Sequence, residues 1–266
     1  QEDLARIERN QGILRSTWIA CFVLLLPALA EARIVNVQSA AYRKAEEGFT
    51  TELGGSLLWA SGNTEVAQAS ASLGLLFLKG PHRLFFSGRA TYGLENGDTY
   101  VNNFFEHLRY RRQLVGPLSG EAFVQHEYDE FRRLGFRALF GIGPRVEFVF
   151  RDWELSVGSA WMLELERLSD DGALDAGDEE RNHRWSNYLT VGGELTEGIA
   201  LLQTLYVQPR LDEFSDHRLL SESAAVLDVK NWLAVKLSFV AAYDSRPPAE
   251  VESLDTTFTT SLLFRL

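Results

Sequence analysis

From Phe49 onward, apolar and polar residues alternate along the chain, and the last stretch, 256–266, shows the pattern plainly. Phe258, Thr260, Leu262, Phe264 and Leu266 fall on one face of an extended strand, and Thr257, Thr259, Ser261, Leu263 and Arg265 on the other, because successive strand side chains point to opposite sides. The same pattern predicts strands near 49–61, 65–79, 82–92, 99–113, 118–129, 136–149, 153–167, 183–196, 199–212, 217–229, 232–243 and 256–266. Trp153, Leu155, Val157, Ser159, Trp161, Leu163 and Leu165 oppose Glu154, Ser156, Gly158, Met162, Glu164 and Glu166. Phe136, Ala138, Phe140, Ile142, Val146, Phe148 and Phe150 oppose Arg137, Arg145 and Glu147, and Leu233, Val235, Leu237, Phe239 and Ala241 oppose Lys236 and Ser238. Within 99–113, Glu106 shares a face with Phe104, Leu108 and Tyr110, which leaves the sides of that strand open. About twelve two-faced strands, an even number, predict an all-β fold: a single antiparallel up-and-down transmembrane β-barrel with lipid outside. A soluble periplasmic sandwich is the alternative fold.

Connection lengths separate the two. If the first strand rises from the periplasm, the inner connections are 80–81, 114–117, 151–152, 197–198 and 230–231, and the outer ones are 62–64, 94–98, 130–135, 168–182, 213–216 and 244–255. The inner set is short and the two longest loops fall outside, as outer-membrane barrels require, whereas a sandwich has no reason to alternate loop length with strand number. Aromatics cluster near predicted strand ends: Trp59, Tyr92, Tyr100, Tyr128, Trp161, Trp185 and Tyr243 at the outer rim, and Phe49, Tyr110, Phe150, Trp153, Trp232 and Phe264 at the inner one. Interfacial girdles have this arrangement.

Composition narrows the compartment. WIACFVLLLPALA at 18–30, preceded by Arg15 and followed by small residues, reads as a secretory signal, too short and too interrupted by Pro27 to span a bilayer. Residues 1–30 are therefore expected to be an upstream segment and signal peptide, 31–48 a periplasmic connector, and 49–266 the barrel. Cys21, the single cysteine, lies in that leader, so neither disulfides nor a thiolate metal site would hold the remaining chain. A net charge of -11 argues against nucleic acid as a partner.

Enzyme signatures are poor. His126-Glu127 lacks a second histidine at zincin spacing, and Gly141-Ile142-Gly143 lacks the third glycine of a nucleotide fingerprint and is better explained by small residues beside lipid-facing aromatics. No Gly-x-Ser-x-Gly elbow is present. His107 and His126 leave a rim hydrolase as a remote alternative. The acidic loop at 169–180, with Asp170, Asp171, Asp175, Asp178, Glu179 and Glu180, does not match an EF-hand and reads as solvated. No enzyme activity, cofactor or metal is expected. The inward faces are more informative: Glu52, Arg83, Arg89, Arg109, Arg111, Glu121, Glu127, Asp129, Arg137, Arg145, Glu147, Glu154, Glu164, Glu166, Glu194, Glu222, Lys236 and Arg265 are candidate lumen-lining residues. Mixed charges in a confined interior either select small polar solutes or pair across the lumen and plug it.

Several segments carry a family resemblance. SGNTE at Ser61 to Glu65, NNFFEHLRYRRQL from Asn102, QHEYDEFRRLGFRALFGIGPR from Gln125, YVQPRLDEFSDHRLLSE from Tyr206 and KLSFVAAYDSRPPAEVESLDTTFTTSL from Lys236 resemble the YdiY-like family of putative salt-induced outer-membrane proteins. The resemblance implies an exported outer-membrane barrel of a diderm bacterium and implies no substrate. One departure is Leu266, where such barrels present an aromatic residue; Phe264 lies two positions earlier on the same face. The expected function is an integral outer-membrane barrel with a structural or passive small-polar-solute role, linked through the resemblance to salt or envelope stress. The expected partners are outer-membrane lipids, lipopolysaccharide and the barrel assembly machinery. The alternative is a surface binding or adhesion barrel acting through its long acidic outer loops.

Overall fold

The computed structural model describes residues 47–62 and 65–265; the leader, most of the connector and Leu266 lie outside the described residues. Its strands are β1 (Gly48–Ala60), β2 (Val66–Lys79), β3 (His82–Glu95), β4 (Asp98–Val115), β5 (Leu118–Asp129), β6 (Leu134–Phe150), β7 (Trp153–Leu168), β8 (Glu179–Thr196), β9 (Ile199–Pro209), β10 (His217–Lys230), β11 (Leu233–Asp244) and β12 (Leu254–Arg265). Each pairs antiparallel with its neighbours in sequence, and β12 returns to β1, so the sheet closes into a barrel. Closure suits a membrane because it pairs the first strand with the last instead of leaving two full-length sheet edges facing hydrocarbon.

The exterior is apolar over most of its circumference: Leu57, Phe77, Phe140, Ile142, Val157, Leu205, Phe239 and Phe258 are exposed on the outward faces. Such a surface is stable against acyl chains and not against water, which places the chain in the bacterial outer membrane. Glu106 belongs to that outward face. Its Oε1 lies 3.6 Å from His126 Nδ1, and the His126 ring packs against Phe104 and Phe136.

Three details differ from the sequence expectation. β8 begins at Glu179, because Glu179, Glu180, Arg181 and Asn182 pair with Arg167, Glu166, Leu165 and Glu164 of β7, which shortens the acidic loop to 169–178. β9 ends at Pro209, whose missing N–H interrupts the ladder, and one isolated pair, Arg184↔Arg210, follows it. Tyr100 does not belong to the outer girdle: a register shift at Gly93/Leu94 turns it inward, where its hydroxyl donates to Gln68 Oε1.

The seam between β1 and β12 is short. Glu52↔Arg265 and Leu53↔Phe264 are the pairs it forms among the described residues, whereas β1 and β2 pair from Gly48↔Leu78 to Ala60↔Val66.

Candidate functional site: a filled lumen and a bridged mouth

The inward faces build two charged layers separated by apolar ones. The outer layer centres on Glu164 of β7. Its Oε1 accepts from Arg137 Nε at 2.8 Å and from Arg218 Nη1, and its Oε2 accepts from Arg184 Nε at 2.6 Å. Arg218 also donates to Glu166 at 3.2 Å and to Asp244 at 3.0 Å, Arg184 donates to Asp216 at 2.9 Å, and Arg137 Nη1 donates to Glu127 at 3.4 Å. All of these side chains are buried. A charge removed from water is tolerated only when it is paired and hydrogen-bonded, so each member of this ring depends on the others.

The inner layer centres on Glu121. Arg109 Nη1 donates to it at 3.1 Å, Arg111 Nε at 3.4 Å and the Tyr188 hydroxyl at 2.9 Å. Tyr188 in turn accepts from Arg145 Nη1 at 3.0 Å, and Arg145 Nη2 donates to Glu147 at 2.9 Å and Glu154 at 3.0 Å. Arg83 lies 3.7 Å from Glu147, nearer the periplasmic end. His107 Nδ1 pairs with Gln125 Oε1 at 2.8 Å while its Nε2 accepts from Arg109, which fixes the neutral tautomer protonated at Nδ1.

Apolar packing fills the space between and beside these layers. Tyr188, Tyr206, Leu220 and Ala242 form one cluster, Phe123, Leu139, Ala160 and Met162 a second, and Leu76, Phe85 and Phe105 a third. Glycines make room for the rings: a Cβ on Gly141 would sit 2.2 Å from the Phe123 ring, and one on Gly158 2.2 Å from the Tyr188 ring. Gly141 and Gly143 therefore do not serve lipid-facing aromatics, as the sequence suggested; Gly141 faces an inward ring, and Gly143 lies against the β7 backbone at Ser159.

The other side of the lumen is lined differently. Gly54 and Ser56 of β1, Ser70, Ser72 and Gly74 of β2, and Thr259 and Ser261 of β12 point inward, and Ser56 and Ser72 remain exposed inside a closed wall. Arg89 projects from β3 beside Ser72 and interacts electrostatically with Glu222 of β10, whose Oε1 accepts from Lys236 Nζ at 3.2 Å. Glu194 is exposed at the periplasmic end of β8.

Above the outer layer, the long loops are joined. Arg133, in the loop after β5, donates to Asp171 Oδ2 at 2.6 Å, to Asp175 and, at 2.9 Å, to the Ala249 carbonyl, while Asp175 Oδ2 accepts from the Ala249 amide at 2.8 Å. β5–β6 and β11–β12 lie on opposite sides of the barrel, so this contact bridges the mouth. Arg246 of the same lid donates to Glu213 in the β9–β10 loop at 2.8 Å. The hydrogen bonds from Arg133 hold the Asp171 carboxyl down to about 2. The acidic loop thus has specific partners instead of being merely solvated.

The family model for a protein of unknown function, DUF481, matches residues 51–266. This chain belongs to the DUF481 family. Among solved structures, the DUF481 barrel is similar to one described as the NanC porin, at 8% identity and a TM-score of 0.51, covering 82% of this chain and 100% of that one. It also resembles the translocator domain of the autotransporter NalP from Neisseria meningitidis, at 11% identity and a TM-score of 0.45, covering 86% of this chain and 92% of that one. The likeness to the porin structure shows the fold. A search of curated proteins found no match.

Parity would have revealed several lumen members absent from the sequence reading. Arg184 shares an inward face with Glu194, Arg218 with Glu222, and Asp244 with Lys236. Asp216 lies in a loop and has no such signal. His107 and His126 stand on opposite sides of the wall, one buried inside and one facing lipid, so they cannot share a reaction centre.

Proposed function

We propose that this DUF481 barrel is a narrow passive conduit for small polar solutes, running along the β12–β1–β2–β3 side of an otherwise plugged lumen. The observation that carries this reading is the unequal filling of the interior: arginine–carboxylate layers and two of the apolar clusters on one side, and mainly glycine and hydroxyl side chains on the other, where Leu76 and Phe85 narrow the periplasmic part. The candidate lumen residues then divide into two groups. Arg109, Arg111, Glu121, Glu127, Arg137, Arg145, Glu147, Glu154, Glu164 and Glu166 build the plug, whereas Arg89, Glu222 and Lys236 face the residual path and set its charge preference, with Arg83 and Glu194 near the periplasmic end. A pore wall of this kind selects by width and by the field of a few fixed charges.

Planar-bilayer recordings of the purified barrel test the reading. Small, steady conductance steps whose ion preference changes with Arg89→Gln are expected; current indistinguishable from the bare bilayer would leave a structural barrel without transport. Lipopolysaccharide is the surrounding partner the outer rim suits, because Arg167 and Arg181 are exposed on the outward face at the outer ends of β7 and β8, where anionic headgroups would sit. Insertion by the barrel assembly machinery and use under salt or envelope stress complete the proposal. The exposed lid pair Arg246–Glu213 is of the type that salt screens, whereas the buried ring is not. The joined loops favour a lid over an adhesion surface.

A further inference from the structure

The β1–β12 seam, the bridged mouth and the hydroxyl-lined wall meet at one place in the barrel. Glu52↔Arg265 and Leu53↔Phe264 hold the periplasmic part of the seam, and no further pair continues toward the outer rim among the described residues. Continuing the same register would set Ser56 opposite Ser261, yet these strands run on without laddering. Outward side chains report the same change. Leu53, beside the paired end, is 46% exposed, whereas Leu57 and Trp59, farther up β1, are 81% and 82% exposed.

An unpaired strand edge inside hydrocarbon is costly, because each backbone N–H and C=O without a partner loses its hydrogen bond where no water can replace it. The edge must therefore meet water or a polar ligand from the lumen side. The lumen wall at this level is built of small, uncharged hydrogen-bonding residues: Ser56, Ser70 and Ser72 with Gly54 between them, facing Thr259 and Ser261 across the seam. The membrane side of the same seam is apolar, with Leu57, Trp59, Phe258 and Leu262. Directly above, the β11–β12 loop, which ends at the seam strand β12, is tied across the mouth to Arg133, so the axial approach is narrowed while the lateral one is not.

We propose that the outer part of the β1–β12 seam is a lateral portal that holds a single-chain amphiphile with a neutral, hydroxyl-bearing head. The head occupies the serine-lined wall and satisfies the strand edges, and the acyl chain leaves through the seam past Leu57 and Phe258 into the outer leaflet. This goes beyond axial passage of polar solutes and does not depend on it, since binding can occur in a barrel that conducts nothing.

The test uses the barrel in lipid nanodiscs with monolaurin as the probe. Hydrogen exchange of the wild-type protein comes first: those amides of 55–60 and 257–263 that do not bond to β2 or β11 should exchange much faster than amides in the middle of β6 and β7, and equal protection would show a zipped seam and overturn the proposal. Ser56→Cys with Ser261→Cys, in a Cys21→Ser background, then locks the seam on oxidation. Native mass spectrometry should find monolaurin retained by the wild-type and reduced double variant and lost from the oxidised one, with retention restored by reductant. Retention unaffected by oxidation, or absent from all forms, would overturn it. Bilayer conductance measured on the same preparations reports separately on the polar conduit.

Discussion

Glu164 shows how much of this barrel hangs on single side chains. Its carboxylate is fully buried and receives three guanidinium groups, from Arg137, Arg184 and Arg218. Removing one partner of a buried ionic cluster costs about 3–5 kcal/mol, because the remaining charges stay out of water uncompensated. Glu164→Gln keeps the shape and abolishes the charge, so it should lower the unfolding free energy of the barrel in lipid, read from urea titration, by that order and move the midpoint down. Glu166→Gln, at a less central position 3.2 Å from Arg218, should cost less. Equal midpoints for wild type and Glu164→Gln would show that the arginines are neutralised elsewhere. The opposite sign is expected on the outer surface. Glu106 and His126 face lipid, where a polar, ionisable pair is a liability and not a scaffold. Replacing both with leucine should stabilise the barrel by on the order of 1 kcal/mol, while Glu106→Leu alone leaves the imidazole unpartnered. A double variant that unfolds earlier than wild type would show that the pair is held by something other than lipid.

At the scale of elements, the strands and the alternation of short and long connections were legible, and the contacts between the loops were not. Alternation placed every strand, since one face had to meet acyl chains and a period-two pattern leaves no second arrangement that buries the same residues. Misses came where the backbone departs from a regular ladder: the register shift that turns Tyr100 inward, and Pro209 ending β9 early. Inward glycines were visible, but nothing in the local spacing says that Gly158 exists to seat the Tyr188 ring, because that contact is made across the β7–β8 ladder, thirty residues along the chain. The lid was hidden for the same reason. Arg133 reaches Asp171 and Asp175 over long sequence separations, and no local pattern records the meeting. Its chemistry predicts a pH limit. An aspartate ordinarily titrates near about 3.9, and Asp171 is held at about 2 by hydrogen bonds from Arg133. A depressed carboxyl contributes stability that is complete above its unfolded value and vanishes as pH falls through the folded one. Nitroxide labels at 173 and 250 should keep one narrow distance distribution down to about pH 4 and broaden below it. Broadening already near neutral pH would mean that Arg133 does not hold the bridge.

For the whole molecule, the filled and the open sides of the lumen should answer to different substitutions, and this separates conduction from stability. Met162 is fully buried in the packed half, so Met162→Ala removes contacts and leaves a cavity, a change that costs about 2–5 kcal/mol. It lies away from the serine-lined wall and should leave bilayer conductance near that of the wild type. Ser72 is exposed inside the barrel, beside Arg89 and opposite Gly54 in register, and its surroundings already include small side chains at Ser70 and Gly74. An indole there lies on the proposed path and away from the Glu164 and Glu121 layers, so Ser72→Trp should fold normally and conduct little. The pairing of outcomes matters more than either alone. If both sides conducted, Ser72→Trp would reduce the current only in part. If the arginine side were the route, Met162→Ala would widen it and Ser72→Trp would do nothing. A stable, non-conducting Ser72→Trp beside a destabilised, conducting Met162→Ala is the result that the uneven interior requires.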